Sequence, residues 1–179
     1  MRYKGLFLDI DGTTVPNRAD GMPRPRVATA IKKAKKHVRI CFATSRPLFM
    51  AEAIFDKLLP NGLCAITDST QIYDPVAKKI VETYYLEPKV ISPVFVVFQR
   101  HGVTQAVIND GRKDRVYSGG PVGEELCSFC AADITPTVAE DIIHDLSKIS
   151  TISVTKIPSY QKGKVWLTVA HPHATKLHA

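Results

Sequence analysis

Three short apolar runs, at residues 3–10, 38–43 and 63–66, are separated by two stretches whose apolar residues recur at helical spacing. Val27, Ala30, Ile31 and Ala34 fall at i, i+3, i+4 and i+7, and Leu48, Ala51, Phe55 and Leu58 again share one face. Pro47 suits the first turn of the second helix. Runs this short and continuous suit strands buried on both faces. The order strand, helix, strand, helix, strand requires crossover connections and a parallel sheet. The front of the chain is therefore predicted to be an α/β core of the Rossmann-like kind.

The pattern changes near residue 71. Segments 71–73 and 79–82 flank Asp74-Pro75 as the arms of a hairpin. Residues 89–101 can form a helix, with Val90, Val94 and Val97 spaced for one face. Strands are expected at 104–109 and 115–117, joined across Asp110-Gly111. A helix at 137–148 opens with Thr137 and Glu140, the pattern of a capping box, and stripes Ile142 and Leu146. Strands at 152–157 and 165–170 close the segment. This reads helix, strand, strand, helix, strand, strand, an α+β unit inserted into the core. The expected division is 1–82 plus 171–179 for the core and 83–170 for the inserted unit.

The composition narrows the choice of partners. The 179 residues are 45% apolar and 23% charged, within the ordinary globular range. The net charge of +7 is spread along the chain except for Lys32-Lys33-Ala34-Lys35-Lys36-His37, which falls on the polar side of the first helix. Small anionic ligands therefore fit better than nucleic acid. No apolar run reaches the length of a signal segment or a membrane span, so no membrane partner and a cytoplasmic setting are expected. The four cysteines do not form a disulfide framework. Cys127 and Cys130 make a lone C-x-x-C without a second pair, and are read as half-buried thiols rather than zinc ligands.

The chemistry concentrates at Asp9-Ile10-Asp11-Gly12-Thr13-Thr14. Alternation along a strand starts the side chains of Asp9 and Asp11 on one side, with Ile10 turned to the core. Ligands of open parallel sheets bind beyond the carboxyl ends of the strands, where this pair falls. Gly12 lets the backbone turn tightly, so that its N–H can face a phosphate oxygen. Two ionised carboxylates about 4 Å apart repel by about 4 kcal/mol at an effective dielectric of roughly 20. Facing a phosphate, they need a divalent cation, and an all-oxygen donor set points to Mg²⁺. One carboxylate can then attack phosphorus, and the other can serve as general acid for the leaving oxygen. A calcium loop is the competing reading, but the later EF-hand ligands are missing. A plain helix-capping role for Asp9 is the other.

These residues resemble the first motif of the haloacid-dehalogenase superfamily. Ile40-Cys41-Phe42-Ala43-Thr44-Ser45-Arg46-Pro47 is similar to its second motif, close to the Thr-Gly-Arg form of the Cof-type phosphatases with Ser45 in place of Gly. The stretch 66–74 resembles the segment before the Cof-type cap, with Asp68-Ser69 where Asn-Gly is common. His173-Ala174-Thr175-Lys176 resembles the third motif. The resemblance implies a C2-type cap and a metal-dependent phosphatase acting on a small phosphorylated metabolite such as a sugar phosphate. It implies Asp9 as nucleophile and metal ligand, and Asp11 as general acid/base that also meets the metal through its backbone carbonyl. Thr44 would hold the transferring phosphate, and Lys176 would neutralise its developing charge.

The family's fourth motif is expected after Lys176, but Ala179 is the last residue of the sequence. The expectation is an incomplete core whose first strand becomes an apolar edge, with self-association as one way to cover it. A fold that binds or regulates without turnover is the alternative, and a phosphomutase is disfavoured by the short 14–26 insert. Gly12 and Ser45 are candidates for substrate contact. Arg46 either meets a substrate phosphate or pairs with an acid. His171 and His173 read as linker residues, Trp166 as packing, and Tyr160 with Lys162 as a turn that contacts substrate.

Overall fold

The computed structural model describes residues 3–123 and 125–175. They form two compact units that divide between Thr83 and Tyr84. The first contains β1 (Gly5–Leu8), α1 (Pro25–Ala34), β2 (Arg39–Phe42), α2 (Leu48–Leu58), β3 (Cys64–Ile66), β4 (Gln71–Asp74) and β5 (Lys79–Thr83). Strand β1 runs parallel to β2, with Gly5 opposite Arg39 and Leu8 opposite Phe42. A parallel bridge between Ala43 and Ala65 joins β2 to β3. Strands β3, β4 and β5 then form an antiparallel meander. The two helices seal this sheet through Ile31, Ala51, Ile54, Phe55 and Leu58, which pack with Ile40, Phe42 and Ile66. The Phe55 ring lies 5.6 Å from Phe42 and stacks on Tyr73 at 5.8 Å.

Two expectations about this unit are corrected. Strand β1 is not buried on both faces, since Leu6 and Phe7 are exposed, Phe7 by 64%. The reason is its position: among the described residues only β2 pairs with it. Ala30, placed on the buried stripe of α1, is exposed, because Ile31 alone reaches full burial there.

The second unit contains α3 (Pro88–Arg100), β6 (Ala106–Asn109), β7 (Asp114–Tyr117), β8 (Ser128–Ile134), α4 (Pro136–Leu146), β9 (Ser153–Pro158) and β10 (Val165–Ala170). The strands form one antiparallel sheet in the order β7-β6-β8-β10-β9. Helices α3 and α4 share a core with it, built around Phe98, Phe129, Ile142, Leu146 and Leu167. Residues 171–175 cluster with this unit.

Strand β8 is absent from the sequence-based order, and it is the central strand. Its Ser-Phe-Cys-Ala-Ala-Asp-Ile lacks the β-branched alternation that marks strands, and continuous burial of Ser128–Ala131 holds it in place instead. It carries Cys130, and Cys127 and Cys130 are buried thiols outside any disulfide rather than half-buried ones. Helix α4 begins two residues earlier than the capping-box pattern implies. Thr135 is its N-cap, and its side chain accepts from the Val138 N–H at 3.4 Å.

Candidate active site

Parallel pairing places the ends of three strands of the first unit side by side. The Ala43 N–H donates to the Leu8 carbonyl at 2.9 Å, and the Thr44 N–H donates to the Ala65 carbonyl at 2.9 Å. With Leu8 opposite Phe42 and Ala43 opposite Ala65, Asp9, Thr44 and Thr67 all leave the strands at the same end. Adjacent strands lie about 4.8 Å apart, so their polar side chains can share one ligand.

The first loop is built by short-range hydrogen bonds. The Ile10 carbonyl accepts from the N–H groups of Thr14 and Val15, both at 2.9 Å, while the Ile10 side chain is fully buried. This fixes Asp9 and Asp11 away from the core, as strand alternation requires. Buried Thr14 donates its hydroxyl to the Asp9 carbonyl at 2.6 Å. Gly12 adopts φ +73°, the left-handed conformation that suits glycine. Its N–H donates to the Val15 carbonyl at 2.9 Å, which corrects the expectation that this group faces a ligand oxygen. Closing the loop on itself takes the donor.

Arg46 is 4% exposed and its guanidinium is spent on the same loop. Its Nε donates to Asp11 Oδ2 at 2.9 Å and its Nη2 to Asp11 Oδ1 at 2.6 Å. Nη2 also donates to the Arg18 carbonyl at 2.8 Å, and Nη1 to the Ala19 carbonyl at 2.9 Å. Of the two roles that the sequence leaves open, the structure shows pairing with an acid, and the acid is the second member of the motif. A guanidinium fork matches a carboxylate edge with two parallel bonds, so Asp11 is fixed in orientation as well as position.

Thr44 is 1% exposed, and its Oγ1 accepts from the Arg46 N–H at 3.1 Å. Ser45 is half-buried, and its carbonyl accepts from the Asp68 N–H at 3.3 Å. Thr67, Asp68 and Ser69 follow β3 with φ of +52°, +55° and +64°. Three successive side-chain-bearing residues in this region store strain, which persists where surroundings enforce it. Here the Thr67 N–H bonds the Arg46 carbonyl at 2.9 Å, the Thr67 hydroxyl bonds Gln71 at 2.9 Å, and the Thr70 hydroxyl bonds the Thr67 carbonyl at 2.5 Å. Thr14 and Asp68 are absent from the candidates drawn from sequence. The signal available for Asp68 is the polar Thr67-Asp68-Ser69-Thr70 run directly after an apolar strand.

Asp9, Asp11, Gly12, Thr44, Ser45 and Arg46 thus share one end of the sheet. Lys176 lies outside the described residues. His171 and His173 belong to the second unit, where the His171 ring stacks on Tyr84 at 5.5 Å and lies 5.2 Å from His173. Among the described residues no helix is long and apolar enough to cross a membrane.

The described residues hold no group of three or more His, Cys, Asp or Glu side chains set for a metal ion. The first loop offers a carboxylate at Asp9 and a backbone carbonyl at Asp11, both hard oxygen donors. Mg²⁺ takes one or two carboxylates and keeps several waters, so this donor set fits it. The Asp11 carboxylate is a poorer ligand than the sequence implies, because a guanidinium beside it repels a dication.

These features define an α/β protein with a carboxylate-based site at the carboxyl ends of parallel strands, followed by an α+β unit. Residues 6–167 match the model of the haloacid dehalogenase-like hydrolases, and the chain belongs to that family. No curated protein matches the sequence. Solved structures with the same fold include a haloacid dehalogenase-like hydrolase from B. subtilis, with 9% identity and TM-score 0.75, over 98% of this chain and 75% of that one. A phosphatase of the same superfamily from Bacteroides thetaiotaomicron has 14% identity and TM-score 0.72, over 97% of this chain and 69% of that one. A subclass IIB sugar phosphatase has 14% identity and TM-score 0.72, over 98% and 72%.

Proposed function

We propose that this chain is a Mg²⁺-dependent phosphomonoester hydrolase that works through an aspartyl-phosphate on Asp9. Family membership supplies the hydrolase class, and a phosphatase and a sugar phosphatase share the fold. The observation that carries the reading is the placement of Asp9 and Thr44 at one end of the parallel strands, with Asp11 on the same loop. Asp9 follows β1 and Thr44 follows β2 at the same end of this parallel pair, whereas Asp11 is held at a fixed angle by Arg46.

In the first half-reaction an Asp9 carboxylate oxygen forms a bond to phosphorus as the ester P–O bond breaks. The departing alkoxide takes a proton from the Asp11 carboxyl. In the second, Asp11 accepts a proton from water as that water attacks phosphorus, and phosphate leaves with Asp9 restored. The Thr44 Oγ1 already accepts from the Arg46 N–H, which leaves its O–H to donate to a phosphoryl oxygen. Bound Mg²⁺, held by the Asp9 carboxylate and the Asp11 carbonyl, would offset the negative charge that otherwise keeps phosphate from the acids. Lys176 would add positive charge to the same end. Small phosphorylated metabolites such as sugar phosphates are the substrate class. The inserted unit, proposed at 83–170 against a core of 1–82 plus 171–179, would act as the cap.

Mg²⁺-dependent release of p-nitrophenol from p-nitrophenyl phosphate tests this. Asp9→Asn is expected to abolish turnover while leaving the melting transition in place. Equal release by both proteins would remove Asp9 as nucleophile. A protein that binds phosphorylated ligands without turnover is favoured by one observation, the commitment of both Asp11 oxygens to Arg46. It predicts ligand-induced stabilisation with no product from the unsubstituted chain.

A further inference from the structure

The opposite end of the first unit's sheet carries a second concentration of charge. Strands β1 and β2 run parallel, so Lys4, just before β1, and Arg39, the first residue of β2, lie at the same end, about 16 Å of strand from Asp9 and Thr44. Helix α1 returns to that same end, where Lys35 caps it and Lys36 follows. With Asn61 and Tyr3 these cations line one open cavity of about 360 Å³. Among the described residues no carboxylate lines it. The ion pairs formed among the described residues all use other cations.

A lysine run on a helix is ordinarily a solvated face. This one differs because residues from three further segments, before β1, at the start of β2 and after α2, converge with it on one concavity. Four like charges around a shared space repel one another, and a concave wall concentrates their field. The partial negative charge at the end of α1 is smaller than the four full charges, and the Ile31, Lys33 and Ala34 carbonyls there already accept from the N–H groups of Lys35, Lys36, His37 and Val38. Asn61 uses its side-chain oxygen on the Ile40 N–H at 2.8 Å, which leaves the amide NH₂ as a donor at the wall.

We propose that this cavity binds a small polyanion of the phosphate class, at a site separate from Asp9 and Thr44. Lys4, Lys36 and Arg39 supply charge, and Asn61 supplies a neutral donor. Lys35 contributes field while its ammonium stays on the Leu59 carbonyl at 2.6 Å. A single carboxylate would leave most of the charge uncompensated, whereas a chain of linked phosphates matches it.

The test is calorimetric titration of the full chain with inorganic triphosphate in the presence of a chelator, so that metal-assisted binding at the acid pair is suppressed. One saturable site is expected, weakening as salt rises. Arg39→Glu and Lys36→Glu should each reduce affinity about tenfold, the scale of exchanging an attraction for a repulsion at an exposed site. Lys36→Gln, the milder change, should fall between. Asp9→Ala and Thr44→Val, at the other end of the sheet, should leave the affinity unchanged, as should Lys113→Glu in the second unit. The proposal is overturned by absence of saturable binding, by equal affinity in Arg39→Glu, or by loss of binding in Asp9→Ala. An equal drop in Lys113→Glu also overturns it, since only net charge would then matter.

Discussion

Arg46 meets Asp11 edge to edge, with Nε 2.9 Å from one carboxylate oxygen and Nη2 2.6 Å from the other. Lysine keeps the charge but cannot span both oxygens, so Arg46→Lys tests orientation separately from charge. It is expected to lower kcat by about 10–100-fold, the usual effect of removing a group that orients a catalytic side chain, with little change in KM. Steady-state kinetics on p-nitrophenyl phosphate read both constants. An unchanged kcat would assign Arg46 to loop packing alone.

Thr14 lies in the core-facing part of the first loop, with its hydroxyl 2.6 Å from the Asp9 carbonyl. Valine has nearly the same shape and leaves that carbonyl without this donor. Thr14→Val is expected to lose about 1 kcal/mol of stability in urea denaturation. Thr14→Ser should recover most of it. Equal losses in both variants would place the effect in the methyl group rather than in the bond.

What the sequence makes legible follows from where burial and chemistry coincide. Asp9, Asp11 and Thr44 stand directly after apolar strands, so periodicity fixes their place at one sheet end. Arg46 is ambiguous in sequence because its partner is 35 positions away, and only the fold brings them together. The Gly12 N–H is lost to Val15 through a loop closure that composition does not encode. Strand β8 escapes because its central position, rather than its residue types, makes it a strand. The αL run at Thr67–Ser69 escapes for a similar reason: none of its residues is glycine.

Strand β1 presents Phe7, with 64% of its surface exposed, beside exposed Leu6 and Tyr3. Among the described residues β1 pairs only with β2, and apolar edge strands pair readily with other chains. Self-association that grows with protein concentration is therefore expected in sedimentation velocity. Phe7→Lys places a charge where pairing would bury it, and should shift the distribution toward monomer without changing the melting temperature. A distribution identical to that of the unsubstituted chain would rule out this edge as the contact.

Asp133 joins three elements of the second unit. Its carboxylate accepts from the Trp166 indole N–H at 2.8 Å, from Gln161 Nε2 at 3.0 Å and from the Ser159 hydroxyl. It does so from φ +54°, a conformation that asparagine and aspartate tolerate better than most residues. Asp133→Ala removes the acceptor and keeps the backbone strain, and is expected to cost about 2 kcal/mol. Asp133→Asn retains one oxygen and the backbone preference, and should cost less. Trp166 is the only tryptophan, so its fluorescence reports the environment directly. An Asp133→Ala protein with unchanged emission and stability would show that the network is incidental.

The remaining prediction concerns pH. His171 accepts the His173 N–H on Nδ1 at 3.1 Å while its ring stacks on Tyr84. Burial, then the neighbouring His173, hold its pKa below the usual 6.5, with Glu87 acting weakly the other way. Protonating Nδ1 would also remove the acceptor. The unfolded chain has neither constraint, so it takes up this proton at higher pH than the folded chain does. The contribution of His171 is fully present above the unfolded value and is lost as pH falls through the lower folded one. Urea stability should therefore decline from about pH 7 downward. In His171→Asn, whose side-chain oxygen can accept from the same N–H but does not titrate, that part of the decline should disappear. Asp145, held low chiefly by its bond from His101, also loses stabilisation on acidification, but in the carboxylate range below it. A decline of the same size in His171→Asn would assign the whole slope to other groups.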